Sequence, residues 1–310
     1  MRHSVSSSEV SPLSRHTWLT TTSIPWVLVL AGFAAMYVPV YWRAAHGLWQ
    51  SDEFGHGPLI LVVAAWLFWQ AKDRAQLAPT QPLRALGWPV MVLGLLFYVF
   101  GRITTSSTFE FSSQVLVVAA LLLLLKGPGA LRAVWFAVFY LIFMVPLPGT
   151  AVDAVTGPLK QWISYIVVDL LHGMGYPIAR AGVMISIGQY QLLVADACSG
   201  LNSMFSLSAL GALFMYLMAR PSVAHNAMMA LAILPIAFIA NIVRVITLVL
   251  VTYYLGDEAG QGFLHGAAGI VLMLVALVSF FTFDAILLAL RKKGGFGAAS
   301  KADSTSSSAT

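Results

Sequence analysis

Residues 227–255 read AMMALAILPIAFIANIVRVITLVLVTYYL, an apolar run in which Arg244 is the one charged side chain. About 20 apolar residues suffice to cross the hydrocarbon of a bilayer, so this run alone implies a membrane-spanning helix. The composition agrees: of 310 residues, 59% are apolar and 9% charged, where an ordinary soluble domain has roughly a quarter charged. Helices in lipid satisfy their own backbone groups, so the fold class expected is all-α, a polytopic membrane bundle without a large soluble core. Pro235 interrupts the run and lacks the N–H that a helix uses there. It predicts a span over 226–244, kinked, with a broken or re-entrant segment up to about Leu255.

Working outward, the other apolar runs predict about eight spans, near 24–42, 54–71, 86–101, 109–125, 130–148, 198–219, 226–244 and 266–290. The first, Ile24 to Trp42, has 19 residues, longer than the ~7–15 of a cleavable signal sequence, and reads as a retained helix. Residues 1–23 and 294–310 are rich in small and polar residues and read as disordered cytoplasmic tails around a single transmembrane domain, 24–293. With the N-terminus inside, twelve Lys and Arg fall in one compartment and five (Arg43, Arg102, Lys160, Arg180, Arg244) in the other. That bias is the one expected for cytoplasmic against external loops. The net charge of +5 is therefore topological, and no nucleic-acid partner is implied.

The longest loop, 149–197, then lies outside. Leu159, Trp162, Ile163, Ile166, Val167, Leu170 and Leu171 recur at helical spacing, with Lys160, Gln161, Ser164 and His172 elsewhere on the wheel, which predicts an interfacial amphipathic helix. Val183–Ile187 and Tyr190–Val194, separated by Gly188-Gln189, predict a small external β-hairpin cap.

The chemistry-bearing residues fall at the outer ends of these spans. Cys198, in ADACSGLNS, is the single cysteine, so no internal disulfide exists and thiol chemistry must run through it. A helix N-terminus favours the nucleophilic thiolate. Asp196 opposes that if ionised, or caps the helix. A lone cysteine is more often a small buried hydrophobe, so Cys198 carries little by itself. Arg244 sits among apolar neighbours, where an arginine costs roughly 2.5–3.5 kcal/mol on insertion scales, a cost that usually marks function; the bland reading is snorkelling to headgroups. Asn241, three residues earlier, shares its helical face. His265, in GQGFLHGAAG, opens the last span from outside and titrates in the range useful for proton transfer. The parity of the spans brings Cys198, Arg244 and His265 to one membrane face. A nucleophile, a proton carrier and an oxyanion stabiliser are what cysteine acyl transfer needs. His56, Asp196, Ser199, Asn241 and Arg180 are candidate substrate-binding or supporting residues on the same side. His56 and His172 have no partner at metal-ligand spacing, so neither a metal nor a cofactor is expected.

The ACSG segment at Cys198, NIVR at Arg244, LHG at His265 and FGHGPLI at His56 together resemble the bacterial exosortase family. The resemblance covers roughly residues 25–290 and keeps the family's motif order. It implies a membrane transpeptidase of the bacterial inner membrane, with its site facing the periplasm and both termini cytoplasmic, often associated with exopolysaccharide production. Its substrates would be exported proteins with a C-terminal tail of a Pro-Glu-Pro motif, a hydrophobic helix and a basic cluster. The family's proposed catalytic Cys, Arg and His fall on Cys198, Arg244 and His265. Two other readings remain open at the level of sequence. One is an intramembrane serine-type protease using Ser199. The other is a transporter or flippase of lipid-linked glycan, with Arg244 and Asn241 as a midplane site, although no inverted repeat is evident.

Overall fold

The computed structural model describes residues 24–51, 54–147, 149–193 and 201–306. The chain falls into two compact units, residues 1–48 and 49–310. Among the described residues the first unit contains α1 (Ile24–Ala45), which carries Pro39 in its interior.

The second unit begins with α2 (Gly57–Leu77), α3 (Arg84–Thr104) and α4 (Ser107–Leu125). The α3–α4 pair is held by a periodic device. Gly87, Gly94 and Gly101 recur every seven residues on α3 and face Leu124, Val117 and Glu110, which recur every seven on the antiparallel α4. A Cβ at Gly101 would lie 2.8 Å from the Glu110 backbone N, and one at Gly94 would lie 3.0 Å from Val117 Cγ2. Only glycine admits this approach, and small residues are how helices associate where lipid removes the hydrophobic drive between them.

The expected span at 130–148 is not one helix. It divides into α5 (Pro128–Ala133), α6 (Trp135–Tyr140) and a 3₁₀ turn (Leu141–Met144), with a break at Val134. Phe136, Ala137, Val138, Tyr140, Leu141 and Met144 are buried, while Trp135, Phe139 and Ile142 remain exposed, so the segment packs on the bundle with one side and leaves an apolar face outward.

α7 (Gly149–Gly173) leads into an antiparallel sheet of three strands, β1 (Ile178–Ala181), β2 (Met184–Ile187) and β3 (Tyr190–Leu193). The expected hairpin is present as β2–β3, with Ile187 opposite Tyr190 and Gly188 (φ +55°) opening the two-residue turn. β1, which the sequence analysis omits, joins through a second such turn at Gly182 (φ +64°). α7 buries Ile163, Val167 and Leu171 against the sheet and against Val245, Leu248 and Val249 further along the chain. Ser164, expected on the polar face, is buried and donates to Gly182 O at 3.1 Å, fastening the β1–β2 turn to α7.

Four helices complete the unit: α8 (Leu201–Met218), α9 (Val223–Leu255), α10 (Asp257–Gly266) and α11 (Ala268–Ser306). α9 is the hub, packing against α7, β3, α8, α10 and α11. It runs for 33 residues, or about 50 Å, straight through Pro235. The predicted break at 226–244 is therefore wrong: Pro235 removes one intrahelical bond, and the Ile236, Ala237 and Ala240 surfaces buried against α8 and α11 hold the helix together. His265 also differs from expectation, for it lies in the separate short helix α10 and not in the last span. α11 carries the final apolar segment and continues as helix to Ser306, into the residues expected to be a tail.

Among the described residues, five helical segments are long and apolar enough to cross a membrane: Val27–Gln50, Arg84–Thr104, Ser107–Leu125, Val223–Leu255 and Ala268–Lys292. The apolar helices Trp135–Met144 and Phe205–Met218 are shorter, so the eight spans expected reduce to five by this criterion. The chain is a multi-pass helical membrane protein with a small sheet.

Candidate active site

Arg244 and Asn241 sit one turn apart on α9 and are both buried, at 7% and 2% exposure. Burying a guanidinium in an apolar bundle is expensive, and the flanking Ala240 and Val245 are buried as well. Arg244 thus occupies the interior of α9, eleven residues before the end of the helix.

α9 ends where Gly256 adopts φ +93°, a conformation that favours glycine, and the chain enters α10. Asp257 and Glu258 occupy the first turn of α10, where negative charge suits the helix dipole. α10 packs against both α9 and α11. The contact with α9 is made at Gly260, where a Cβ would lie 2.2 Å from Thr252 Oγ1. Thr252 is fully buried and its hydroxyl has no hydrogen-bond partner among the described residues, so the contact is one of shape. This close contact seats the helix whose last turn contains His265 on the helix that contains Arg244.

Cys198, Asp196 and Ser199 lie outside the described residues; the chain resumes at Leu201, the start of α8, which packs on α9. His56 is the residue before α2, half-buried, and makes no side-chain cap. Arg180 is exposed on β1, with its guanidinium 5.0 Å from the centre of the Tyr165 ring on α7. Among the described residues, no group of His, Cys, Asp and Glu converges as a metal site.

Sequence reasoning missed two buried ionisable clusters. Asp284 on α11 receives Arg220 Nη2 at 2.6 Å and contacts His225 Nε2 at 2.8 Å, with His225 only 3% exposed. Glu110 on α4 is 3% exposed and lies 3.8 Å from Arg102. Asp284 stands in an apolar run, so the rule that singled out Arg244 applies equally to it; Glu110 stands among Ser and Thr residues at the start of α4 and gives no such signal.

The family model described as transmembrane exosortase (Exosortase_EpsH) matches residues 48–282. The chain belongs to the transmembrane exosortase family. The match spans α2 through most of α11 and thus includes the Cys198, Arg244, His265 and His56 motifs. No curated protein and no solved structure matches the chain. Exosortases are membrane-embedded and act on exported proteins with sorting signals, so the chain falls among transmembrane peptidases and transpeptidases.

Proposed function

We propose that this exosortase is a cysteine transpeptidase that removes the C-terminal sorting tail of exported proteins at the periplasmic face of the inner membrane. The observation that carries the reading is Arg244, buried beside Asn241 within a membrane-spanning helix on which the His265 helix is seated. A buried arginine there has a use if negative charge develops next to it.

The Cys198 thiolate attacks the carbonyl beside the sorting motif. Arg244 stabilises the resulting oxyanion through its planar set of N–H donors, and Asn241 supports its orientation. Collapse of the tetrahedral intermediate breaks the C–N bond, and His265 supplies the proton that the departing amine needs. An incoming amine or water then attacks the thioester, gives its proton to His265 and frees Cys198. Asp196 caps the start of the helix after Cys198, and Ser199 is a neighbour without a nucleophilic role. His56 serves substrate binding, and α7 with the sheet frames the entrance for the tail.

Arg244→Lys tests the role of the arginine. If Arg244 only anchors α9, lysine, with a similar apolar stem and charged head, serves nearly as well. If it holds an oxyanion, lysine loses the fork, and processing of a co-expressed tailed substrate falls about 10²- to 10³-fold at equal membrane abundance, the effect of losing one oxyanion donor. Near wild-type processing refutes the role.

A further inference from the structure

The outer cap carries a groove that the peptidase reading does not explain. It has a volume of about 420 Å³ and is lined by Gln161, Trp162 and Tyr165 of α7 and Arg180 of β1. Three features define its chemistry.

The first is an oriented cation. Arg180 is exposed on an edge strand and its guanidinium stacks on the Tyr165 ring, while Trp162 meets the same ring edge-on at 6.5 Å. Among the described residues no carboxylate pairs with it. The guanidinium is thus held beside an aromatic face and keeps N–H donors with which a two-oxygen anion can be bound.

The second is a helix that is apolar on two sides. Ile163, Val167 and Leu171 are buried in the cap core, yet Trp162 and Met174 remain 61% exposed and Tyr165 49%. The occupant must therefore cover apolar surface as well as neutralise a charge.

The third is height. The cap rests on Val245, Leu248 and Val249 of α9. At 1.5 Å per residue these lie roughly 33–39 Å from the start of α9 at Val223, and hydrocarbon is about 30 Å thick. Arg220, at the opposite end, marks the other polar boundary. The groove accordingly sits where acyl chains give way to headgroups, the level at which Trp and Tyr side chains concentrate.

We propose that this groove is a binding site for the phosphate headgroup of an anionic phospholipid, with Arg180 and the Gln161 amide on the phosphate and Trp162 and Tyr165 against the glycerol and upper acyl chain. A soluble acidic peptide would answer the charge but leave the aromatic faces uncovered; a lipid answers both.

The test uses the full chain reconstituted in phosphatidylcholine vesicles containing a minor fraction of lipid brominated near the headgroup, as either phosphatidylglycerol or phosphatidylcholine. Tryptophan quenching is read for wild type and for Trp162→Phe, and the difference isolates Trp162. The site predicts that brominated phosphatidylglycerol reaches Trp162 at about fivefold lower mole fraction than brominated phosphatidylcholine, the effect of about one basic side chain at a lipid surface. Arg180→Gln removes the preference while leaving quenching by phosphatidylcholine intact. Equal quenching by the two lipids in wild type overturns the proposal, as does a preference that survives Arg180→Gln. An acidic peptide that binds in pure phosphatidylcholine vesicles through Arg180, with no lipid preference, also overturns it and makes the groove a peptide site. No processing step enters the measurement, so its outcome is separate from that of the peptidase reading.

Discussion

Gly260→Ala tests whether α10 must be seated on α9 for processing. The new methyl would lie 2.2 Å from Thr252 Oγ1 and 3.2 Å from Thr252 Cβ. Thr252 is fully buried, and a β-branched side chain in a helix has little rotamer freedom with which to retreat. α10 must therefore lift by about 1 Å to restore ordinary contact. Overpacking of this kind costs about 1–3 kcal/mol. The larger effect is kinetic, because a 1 Å misplacement of a catalytic group can lower a rate about 10²-fold. The assay is tail processing of a co-expressed substrate, normalised to enzyme in the membrane fraction. Thr252→Ala supplies the control. It deletes a hydroxyl that has no hydrogen-bond partner among the described residues, so alone it leaves processing near wild type. Combined with Gly260→Ala it leaves the Cβ at 3.2 Å as the nearest contact, which a shift of a few tenths of an ångström absorbs, and it restores most of the lost activity. Full activity in Gly260→Ala, or no rescue in the double variant, refutes the idea that this contact positions the His265 helix.

Gly101→Ala places a methyl 2.8 Å from the Glu110 backbone N, which cannot move aside as a side chain can; it should destabilise the α3–α4 pair by about 1–3 kcal/mol, read as a lower midpoint of thermal unfolding in detergent, with Gly87→Ala milder because its nearest contact is the Leu124 side chain. Asp284→Ala strands the buried His225 imidazole, while the part-exposed Arg220 can rehydrate; the expected loss is about 1–3 kcal/mol, and processing per folded molecule at low temperature should be unchanged, because the cluster lies toward the opposite end of α9 from Arg244.

The sequence made legible what local pattern encodes. Long apolar runs marked the helices around 84–104, 107–125 and 268–292, and the period-two alternation with Gly188-Gln189 marked β2–β3. It misled where tertiary packing overrides local preference. Pro235 reads as a breaker in isolation, but a bundle that buries Ile236, Ala237 and Ala240 holds the helix through it. Residues 130–148 read as one unbroken helix because apolarity alone does not reveal the break at Val134. β1, with sequence IARA, has little strand propensity and forms because β2 offers it a partner. Other signals were present and unread. The seven-residue glycine spacing on α3 was visible, and Asp284 stood in an apolar run as plainly as Arg244 did, whereas Glu110, with Thr108, Ser112 and Ser113 around it, gave no such signal. Of the candidate site, the shared helical face of Arg244 and Asn241 followed from their spacing, whereas the placement of His265 on a separate short helix depended on the turn at Gly256 and on the Gly260–Thr252 contact, which no local pattern specifies.

The central claim is that acyl transfer runs through the thiol of Cys198. The most direct measurement follows tail processing of a co-expressed sorting substrate by Cys198→Ala and Ser199→Ala at matched membrane abundance. The thiol is the stronger nucleophile near neutral pH. Cys198→Ala should therefore abolish processing and the hydroxylamine-sensitive enzyme–substrate adduct, while Ser199→Ala keeps both. Processing that survives Cys198→Ala and disappears in Ser199→Ala would contradict the account and assign the chemistry to the serine.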